Sequence, residues 1–179
     1  MCELEVITII SGTNRPENVS LRVSMAIAEL LTSMEIEAQI LDLQKLPKDF
    51  VFRNDVFGNP DPGFSAIVDQ FISTANRFVF VVPEYNGSFP GVCKAFIDAV
   101  WPEQFKGKKA ALVGLSSGRA GNLRGLDQLT GILHYLEMPV LPKRVNLIHI
   151  ESMMDDEGKL IDEKTIKQLN HLLQGFTSF

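Results

Sequence analysis

Short, almost wholly apolar runs alternate along the chain with longer segments whose apolar positions recur at helical spacing. The first run, residues 4–10, is rich in β-branched side chains. Such a run is typical of a strand that is buried on both faces of a parallel sheet. The predicted strands are residues 4–10, 36–43, 77–82, 108–115 and 140–150, the last made irregular by Pro142.

Segments with helical periodicity separate these strands. The predicted helices are residues 21–34, 63–75, a segment that begins near Pro90, 123–136 and 162–174. Proline is well tolerated in the first turn of a helix. Residues 44–62 are the least regular part, because three prolines interrupt them, and residues 155–158 form a polar hinge. The alternation predicts a single α/β domain, residues 1–179, with a parallel sheet and helices on both faces.

Composition limits the possible functions. The formal net charge of −5 argues against a nucleic-acid partner, because proteins that grip phosphate chains usually carry a basic excess. The two cysteines do not make a disulfide framework, no zinc-ligand spacing occurs, and Cys93 is predicted to be a small buried residue. The first apolar run is too short for a signal peptide or a membrane span. We therefore expect a soluble, cytoplasmic protein without a membrane partner.

The first of three informative loops, residues 11–20, leads from a buried strand into a helix N-terminus. Ligands of open parallel sheets bind at this edge, and the free N–H groups of a helix start accept phosphate. Hydroxyl groups of Ser11, Thr13 and Ser20 and the guanidinium of Arg15 add donors. The loop is neither a Walker A loop nor a G-x-G-x-x-G loop. A polar turn with Ser20 as the helix N-cap accounts for it equally well.

The other two loops follow the third and fourth strands. Residues 83–91 hold two glycines and two prolines, so a restricted backbone can present polar groups to a flat heterocycle that Tyr85 walls. The alternative is a hairpin-like surface turn. The backbone amides of residues 116–122 and the side chain of Arg119 can stabilise negative charge on a reduced ring. The alternative is that this segment is a capped helix start with Arg119 in solvent. The three histidines lie outside the loops, and we expect them to be structural or exposed.

At these loops the chain resembles the NAD(P)H-dependent FMN reductases, over about residues 4–150. Pro-Glu-Tyr-Asn-Gly-Ser at residues 83–88, followed by Pro-Gly at 90–91 and Lys-Ala-Phe-Ile-Asp at 94–98, is similar to the family's flavin-ring loop and helix. Residues 12–15 resemble its Gly-Ser-x-Arg phosphate loop, and residues 116–121 its third flavin contact. The chain departs from the family at three positions. They are Thr13 in place of serine, Asn122 in place of glycine, and a displaced tryptophan, Trp101.

The resemblance implies a three-layer flavodoxin-like fold with a five-stranded parallel sheet of order 2-1-3-4-5. It implies an enzyme that passes hydride from NADPH or NADH through bound FMN to a flavin, a quinone, an azo compound or a metal ion. No catalytic side chain and no metal ligand are implied, since the flavin carries the chemistry. The implied FMN contacts are Ser11, Thr13, Arg15, Ser20, Leu21, Pro83, Glu84, Tyr85, Asn86, Gly87, Ser116, Ser117, Gly118 and Arg119.

Two other functions remain open, a flavodoxin-like electron carrier and a regulatory flavin-binding protein with little turnover. Carriers are usually far more acidic than this chain, because charge steers their partners. A regulatory protein would fit a broken phosphate loop, and this loop is intact. The resemblance also implies a homodimer or homotetramer. The aromatic residues of segment 50–57 either pack on a neighbour's flavin edge or fold over the chain's own core.

Overall fold

Five parallel strands form one sheet in the order β2-β1-β3-β4-β5, in a computed structural model that describes residues 6–179. This order confirms the predicted flavodoxin-like architecture. It also confirms a reversal of strand order between β1 and β3. The strands are β1 (Ile7–Ser11), β2 (Ala38–Asp42), β3 (Arg77–Pro83), β4 (Lys109–Leu115) and β5 (Val145–Leu147).

Helices cover both faces of the sheet. They are α1 (Val19–Ser33), α2 (Phe50–Arg53), α3 (Pro62–Val68), α4 (Gly91–Ala99), α5 (Leu123–Tyr135) and α6 (Glu163–Ser178). Helices α1 and α6 pack on one face, and α3, α4 and α5 pack on the other. Because successive side chains of a strand point to opposite faces, a central strand must be apolar throughout. In β3, Phe78 and Phe80 face the second group, and Val79 and Val81 face the first.

The fifth strand is shorter than predicted. Val140 forms an isolated bridge to Ala110, and the regular ladder covers Val145–Leu147 rather than residues 140–150. Pro142 has no N–H group to donate to a ladder, which explains the interruption. After the strand, His149 adopts a left-handed conformation (φ 49°), and the chain turns into a short 3₁₀ helix, Ile150–Met153. This turn brings residues 150 and 151 to the carboxyl edge of the sheet.

Other boundaries differ by less. The predicted helix 63–75 is α3 followed by one π-helical turn, Asp69–Ser73, and α6 continues to Ser178. Residues 4 and 5 of the first predicted strand, and Cys2, lie outside the described residues. Within segment 50–57, Phe50 is buried and stacks on Phe64, whereas Phe52 and Phe57 are exposed.

Cys93 is fully buried in α4, as predicted, and burial raises the pKa of its thiol to about 12. A thiol in an apolar interior keeps its proton because the thiolate would lose its hydration. Cys93 therefore acts as a small apolar core residue. Within residues 6–179, no helix is both long and apolar enough to cross a membrane.

Candidate functional site

A cleft of about 240 Å³ opens at the carboxyl edge of the sheet, where the loops after β1, β3 and β4 meet. The segment that follows β5 closes one side of it. Clefts at this edge, beside the reversal of strand order, are where open α/β sheets bind ligands. The lining residues are Thr13, Arg15, Pro16, Glu17, Asn18, Val19, Ser20, Pro83, Glu84, Tyr85, Leu115, Ser116, Ser117, Ile150 and Glu151.

The first loop ends at the N-cap of α1, and the N-cap residue is not the one that the polar-turn alternative predicts. Asn18, not Ser20, is the N-cap of α1, and its side-chain oxygen accepts from the N–H of Leu21 at 2.8 Å. The hydroxyl of Ser11 donates to the same oxygen at 3.2 Å, and the Asn18 amide nitrogen donates to the carbonyl of Arg15 at 2.8 Å. Asn18 therefore fixes the path of the loop and the direction of the helix.

With Asn18 as the cap, the hydroxyl of Ser20 has no partner among residues 6–179. Ser20 lies in the first turn of α1, lines the cleft and is 1% exposed. An unsatisfied buried hydroxyl costs free energy, so such a group in a cleft wall is a candidate ligand contact. A phosphate oxygen at the start of α1 would accept from it and from the free N–H groups of the helix end.

The second loop is a tight turn that also walls the cleft. Tyr85 and Ser88 exchange backbone hydrogen bonds of 2.8 and 3.0 Å, and Asn86 and Gly87 both have positive φ (54° and 76°), as a type I′ turn requires. The hairpin-like alternative thus describes the local geometry, and the tip residues stay outside the cleft lining. The half-buried Tyr85 ring still lies in the cleft wall.

Tyr85 connects the second loop to the first. Its hydroxyl lies 2.7 Å from the hydroxyl oxygen of Thr13, and the guanidinium carbon of Arg15 lies 3.7 Å from its ring centroid. A cation over an aromatic face is stabilised by the ring quadrupole. The exposed Arg15 is therefore held beside the opening of the cleft rather than extended into solvent.

The third loop is anchored by its own hydrogen bonds and by the segment after β5. The Ser116 hydroxyl donates to the carbonyl of Gly118 at 3.0 Å and accepts from the N–H of Gly121 at 2.9 Å. The Ser117 hydroxyl donates to Glu151 at 2.5 Å, and a ring nitrogen of His149 lies 2.9 Å from the carbonyl oxygen of Ser117. One of the three histidines thus supports this loop.

The structure brings eight of the fourteen predicted contacts into the cleft wall. They are Thr13, Arg15, Ser20, Pro83, Glu84, Tyr85, Ser116 and Ser117. The other six border the same loops without lining the cleft: Ser11, Leu21, Asn86, Gly87, Gly118 and Arg119. Arg119 is exposed, as the capped-helix alternative had it.

Sequence reasoning missed the contribution of the segment after β5. Ile150 and Glu151 line the cleft, but they were assigned to the end of a strand or not assigned at all. No local motif marks them. A left-handed residue at position 149 is what carries the chain back over the sheet edge. With Glu17 and Glu84, Glu151 places three carboxylates around the cleft.

A larger groove, about 740 Å³, lies between the edge strand β5 and α6 and holds none of the predicted residues. Its basic side chains include Arg144, which pairs with Asp127, and Lys167, which pairs with Glu163. The smaller cleft is the better candidate, because it combines a helix N-terminus, an unpaired buried hydroxyl and an aromatic wall. Among residues 6–179, no cluster of three or more His, Cys, Asp or Glu side chains is arranged to hold a metal ion.

Fold and cleft together define a flavodoxin-like protein with a cleft at the start of α1. Residues 6–151 match the family model of NADPH-dependent FMN reductases. The chain therefore belongs to this family. It is an FMN-dependent NAD(P)H oxidoreductase, with FMN as the cofactor and NAD(P)H as the hydride donor.

Individual relatives agree with this assignment. An NAD(P)H-dependent FMN reductase of Pseudomonas aeruginosa is 34% identical over 92% of this chain and 89% of its own. A 2-hydroxy-1,4-benzoquinone reductase from a Burkholderia species is 26% identical over 97% and 94% of the two chains. The solved structure of a flavoenzyme NAD(P)H:(acceptor) oxidoreductase from Paracoccus denitrificans superimposes with a TM-score of 0.80 at 23% identity, covering 97% and 96%. At that identity the likeness concerns the fold.

Proposed function

We propose that the cleft is the FMN site of this oxidoreductase, with the phosphate at the start of α1 and the ring beside the second and third loops. The observation that carries the proposal is the buried, unpaired hydroxyl of Ser20 in the cleft wall. Thr13 and Arg15 supply a hydroxyl and a positive charge at the same end. The fourteen residues implied by the family resemblance are proposed as its contacts, within one domain that spans residues 1–179.

Bound FMN supplies the chemistry of accepting and releasing hydride. The chain's contribution is to bind and orient the cofactor. In this proposal Tyr85 and Pro83 wall the cleft beside the ring, and Ser116 and Ser117 begin the third loop, whose amides are proposed to lie near the ring as well. Fixed amides stabilise negative charge as it develops, because they need no reorganisation at that moment. No side chain is required as a general acid or base.

The proposed site is tested with purified protein in three steps. FMN is added, the excess is removed, and the absorbance spectrum is recorded. NADPH and then NADH are added under nitrogen. A bound flavin spectrum that bleaches with either coenzyme is expected. Bound flavin that neither coenzyme bleaches would favour an electron carrier or a regulatory flavoprotein, and a protein that retains no flavin would contradict the proposed site.

We propose a quinone as the preferred acceptor among the four classes. Two features support this: one relative is named a benzoquinone reductase, and the cleft wall next to Tyr85 offers an aromatic face to a planar ring. Steady-state rates with benzoquinone, free FMN, an azo dye and a ferric chelate would be compared at saturating coenzyme. The highest kcat/KM is expected with benzoquinone; a higher value with any other acceptor would contradict this choice.

We propose that two copies of the chain meet at the face formed by α4, α5 and segment 54–57, as a homodimer or as half of a homotetramer. Tyr135 and Phe57 are 86% and 84% exposed there, and they border an apolar groove of about 430 Å³. An exposed apolar patch of this kind marks an association surface. Size-exclusion chromatography with light scattering should give a mass of at least two chains, and Tyr135→Glu should reduce it.

We propose a cytoplasmic location. The enzyme needs reduced nicotinamide coenzymes, and its buried Cys93 is a free thiol rather than part of a disulfide. Fractionation of cells that express the tagged chain should place it with cytoplasmic markers; recovery with an exported or membrane fraction would contradict the proposal.

A further inference from the structure

Asn122, the last residue of the third loop, ties that loop to the end of β3. It is fully buried. Its side-chain nitrogen donates to the carbonyl oxygens of Val82 at 3.1 Å and Pro83 at 3.0 Å. Its backbone N–H donates to the carboxylate of Glu84 at 3.1 Å. One residue thus holds three successive residues at the point where the strand becomes the second loop.

The backbone conformation of Asn122 indicates that asparagine occupies this position because of the hydrogen bonds of its side chain. The residue is left-handed (φ 61°, ψ 32°), a conformation that glycine adopts at no steric cost. Asparagine is tolerated there better than most residues, but it is still less favourable than glycine. Nor does the side chain cap α5, since it makes no capping hydrogen bond. Glycine at this position would lack the side-chain amide that links the third loop to the second.

The same helix start also holds the far end of the second loop. A methyl group at Gly125 would lie 2.6 Å from the backbone nitrogen of Phe89 and 2.7 Å from the carbonyl carbon of Ser88, so helix and loop are in backbone contact. The Ser88 hydroxyl donates to the side chain of Gln128. The segment 82–89 is therefore anchored at both ends to α5, with the Tyr85–Ser88 turn between the two anchors.

We infer that Asn122 is a positioning residue that preforms the ring wall of the flavin site before the cofactor enters. Its amide directs two carbonyls, and its N–H fixes the Glu84 carboxylate, so Tyr85 starts from one position. A loop that is already ordered in the free protein loses less entropy on binding. The inference rests on the proposed FMN site only for its effect on affinity; the anchoring itself is a property of the chain alone.

The test is Asn122→Gly, because glycine keeps the left-handed backbone and removes only the amide. We expect about tenfold weaker FMN binding, because binding would then have to order the loop. In the FMN-free protein, we expect faster hydrogen exchange of the Glu84 and Tyr85 amides, which bond to Leu115 and Ser88. The variant keeps the backbone N–H of residue 122, so the bond to the Glu84 carboxylate is retained and the effects report the side-chain amide alone.

The matched control is Gln39→Ala. It removes an amide that donates to Thr8, Thr74 and the carbonyl of Gln70, near the amino-terminal end of the sheet. This variant should lower the melting temperature but leave FMN affinity and loop exchange unchanged. A second variant, Gly125→Ala, places a methyl group against the side-chain oxygen of Asn122 and against the backbone of residues 88 and 89, so it disturbs both anchors of the loop. It should change affinity and exchange in the same direction as Asn122→Gly.

The outcomes separate the two proposals. If Asn122→Gly folds and matches the wild type in FMN affinity and in loop exchange, the positioning role is overturned. If it lowers only the melting temperature, as Gln39→Ala does, the residue is structural and the role is likewise overturned. A wild-type protein that binds no FMN would overturn the proposed cofactor site, and exchange in the free protein would still decide the anchoring.

Discussion

The phosphate end and the ring end of the candidate flavin site differ in how their buried polar groups are hydrogen-bonded. Ser20 and Asn122 both carry a buried side-chain oxygen that has no hydrogen-bond partner within the described residues. Ser20 lies in the cleft wall, so its free hydroxyl is next to the proposed position of the phosphate. Asn122 lies behind the wall, and its nitrogen and backbone N–H are both engaged. The phosphate end therefore keeps bonding capacity for the cofactor, whereas the ring end uses its own to hold a shape.

The largest predicted effect comes from replacing the donor amide of Asn122, at the ring end, by an acceptor. Asn122→Asp has nearly the same shape but places a buried carboxylate against the carbonyls of Val82 and Pro83. An uncompensated buried charge costs about 3–5 kcal/mol, so the free energy of unfolding at neutral pH should fall by that amount. Urea unfolding of the FMN-free protein measures it. The loss should shrink on acidification, when the new carboxyl is protonated. A variant as stable as the wild type would mean that the amide bonds contribute nothing to the ring end.

At the phosphate end, Arg15→Ala should weaken FMN binding without destabilising the fold. The side chain is exposed and stacks on Tyr85, and its loss would remove the proposed charged contact with the phosphate, about 1.5–3 kcal/mol. Fluorescence titration of FMN measures the change. Arg144→Ala removes the same charge at the β5 edge, outside the cleft, and serves as the control. If both variants lose equal affinity, the effect is one of net charge, and the assigned role of Arg15 is wrong.

Ser20→Ala sharpens the comparison, because its two effects should have opposite signs. Removing an unsatisfied buried hydroxyl should stabilise the FMN-free protein by about 1 kcal/mol and weaken FMN binding by a similar amount. The control is Ser24→Ala, one turn further along α1. The Ser24 hydroxyl is buried but bonded to the carbonyl of Ser20 at 2.8 Å. Ser24→Ala should therefore lower stability and leave affinity unchanged. A loss of stability in both variants would show that Ser20 has a partner within the chain.

The sequence predicts the architecture well, because that depends on local patterns. Apolar runs such as residues 77–82 are long enough to define a buried strand, and the helices between them define a parallel order. Motifs also locate the three loops. The cap of α1 was harder to predict, since Asn18 and Ser20 are both good N-cap residues. The choice between them is made by the path of the loop, which Ser11 helps to fix through Asn18.

The rest of the site depends on contacts between distant parts of the chain. Asn122 stands out in the sequence only as an unusual residue in a family loop. Its partners, Val82 and Pro83, lie about forty residues earlier, and no spacing rule connects them. Glu151 reaches the cleft because the fifth strand ends at Leu147 and His149 turns the chain. Such placements follow from tertiary packing, which patterns of single segments do not encode.

The smallest predicted effect is at the connection between the two ends. Tyr85→Phe removes the bond to the Thr13 hydroxyl but keeps the ring and its contact with Arg15. Because the Thr13 hydroxyl still accepts from the N–H of Arg15, FMN affinity should fall by no more than about 1 kcal/mol. Tyr135→Phe deletes the same atom at the proposed association face, outside the cleft, and keeps the apolar ring there, so it is the control in the same titration. A loss as large as that of Arg15→Ala would mean that the Tyr85 hydroxyl binds the cofactor itself. The role of this hydroxyl would then be ligand binding rather than a structural link between the phosphate end and the ring end.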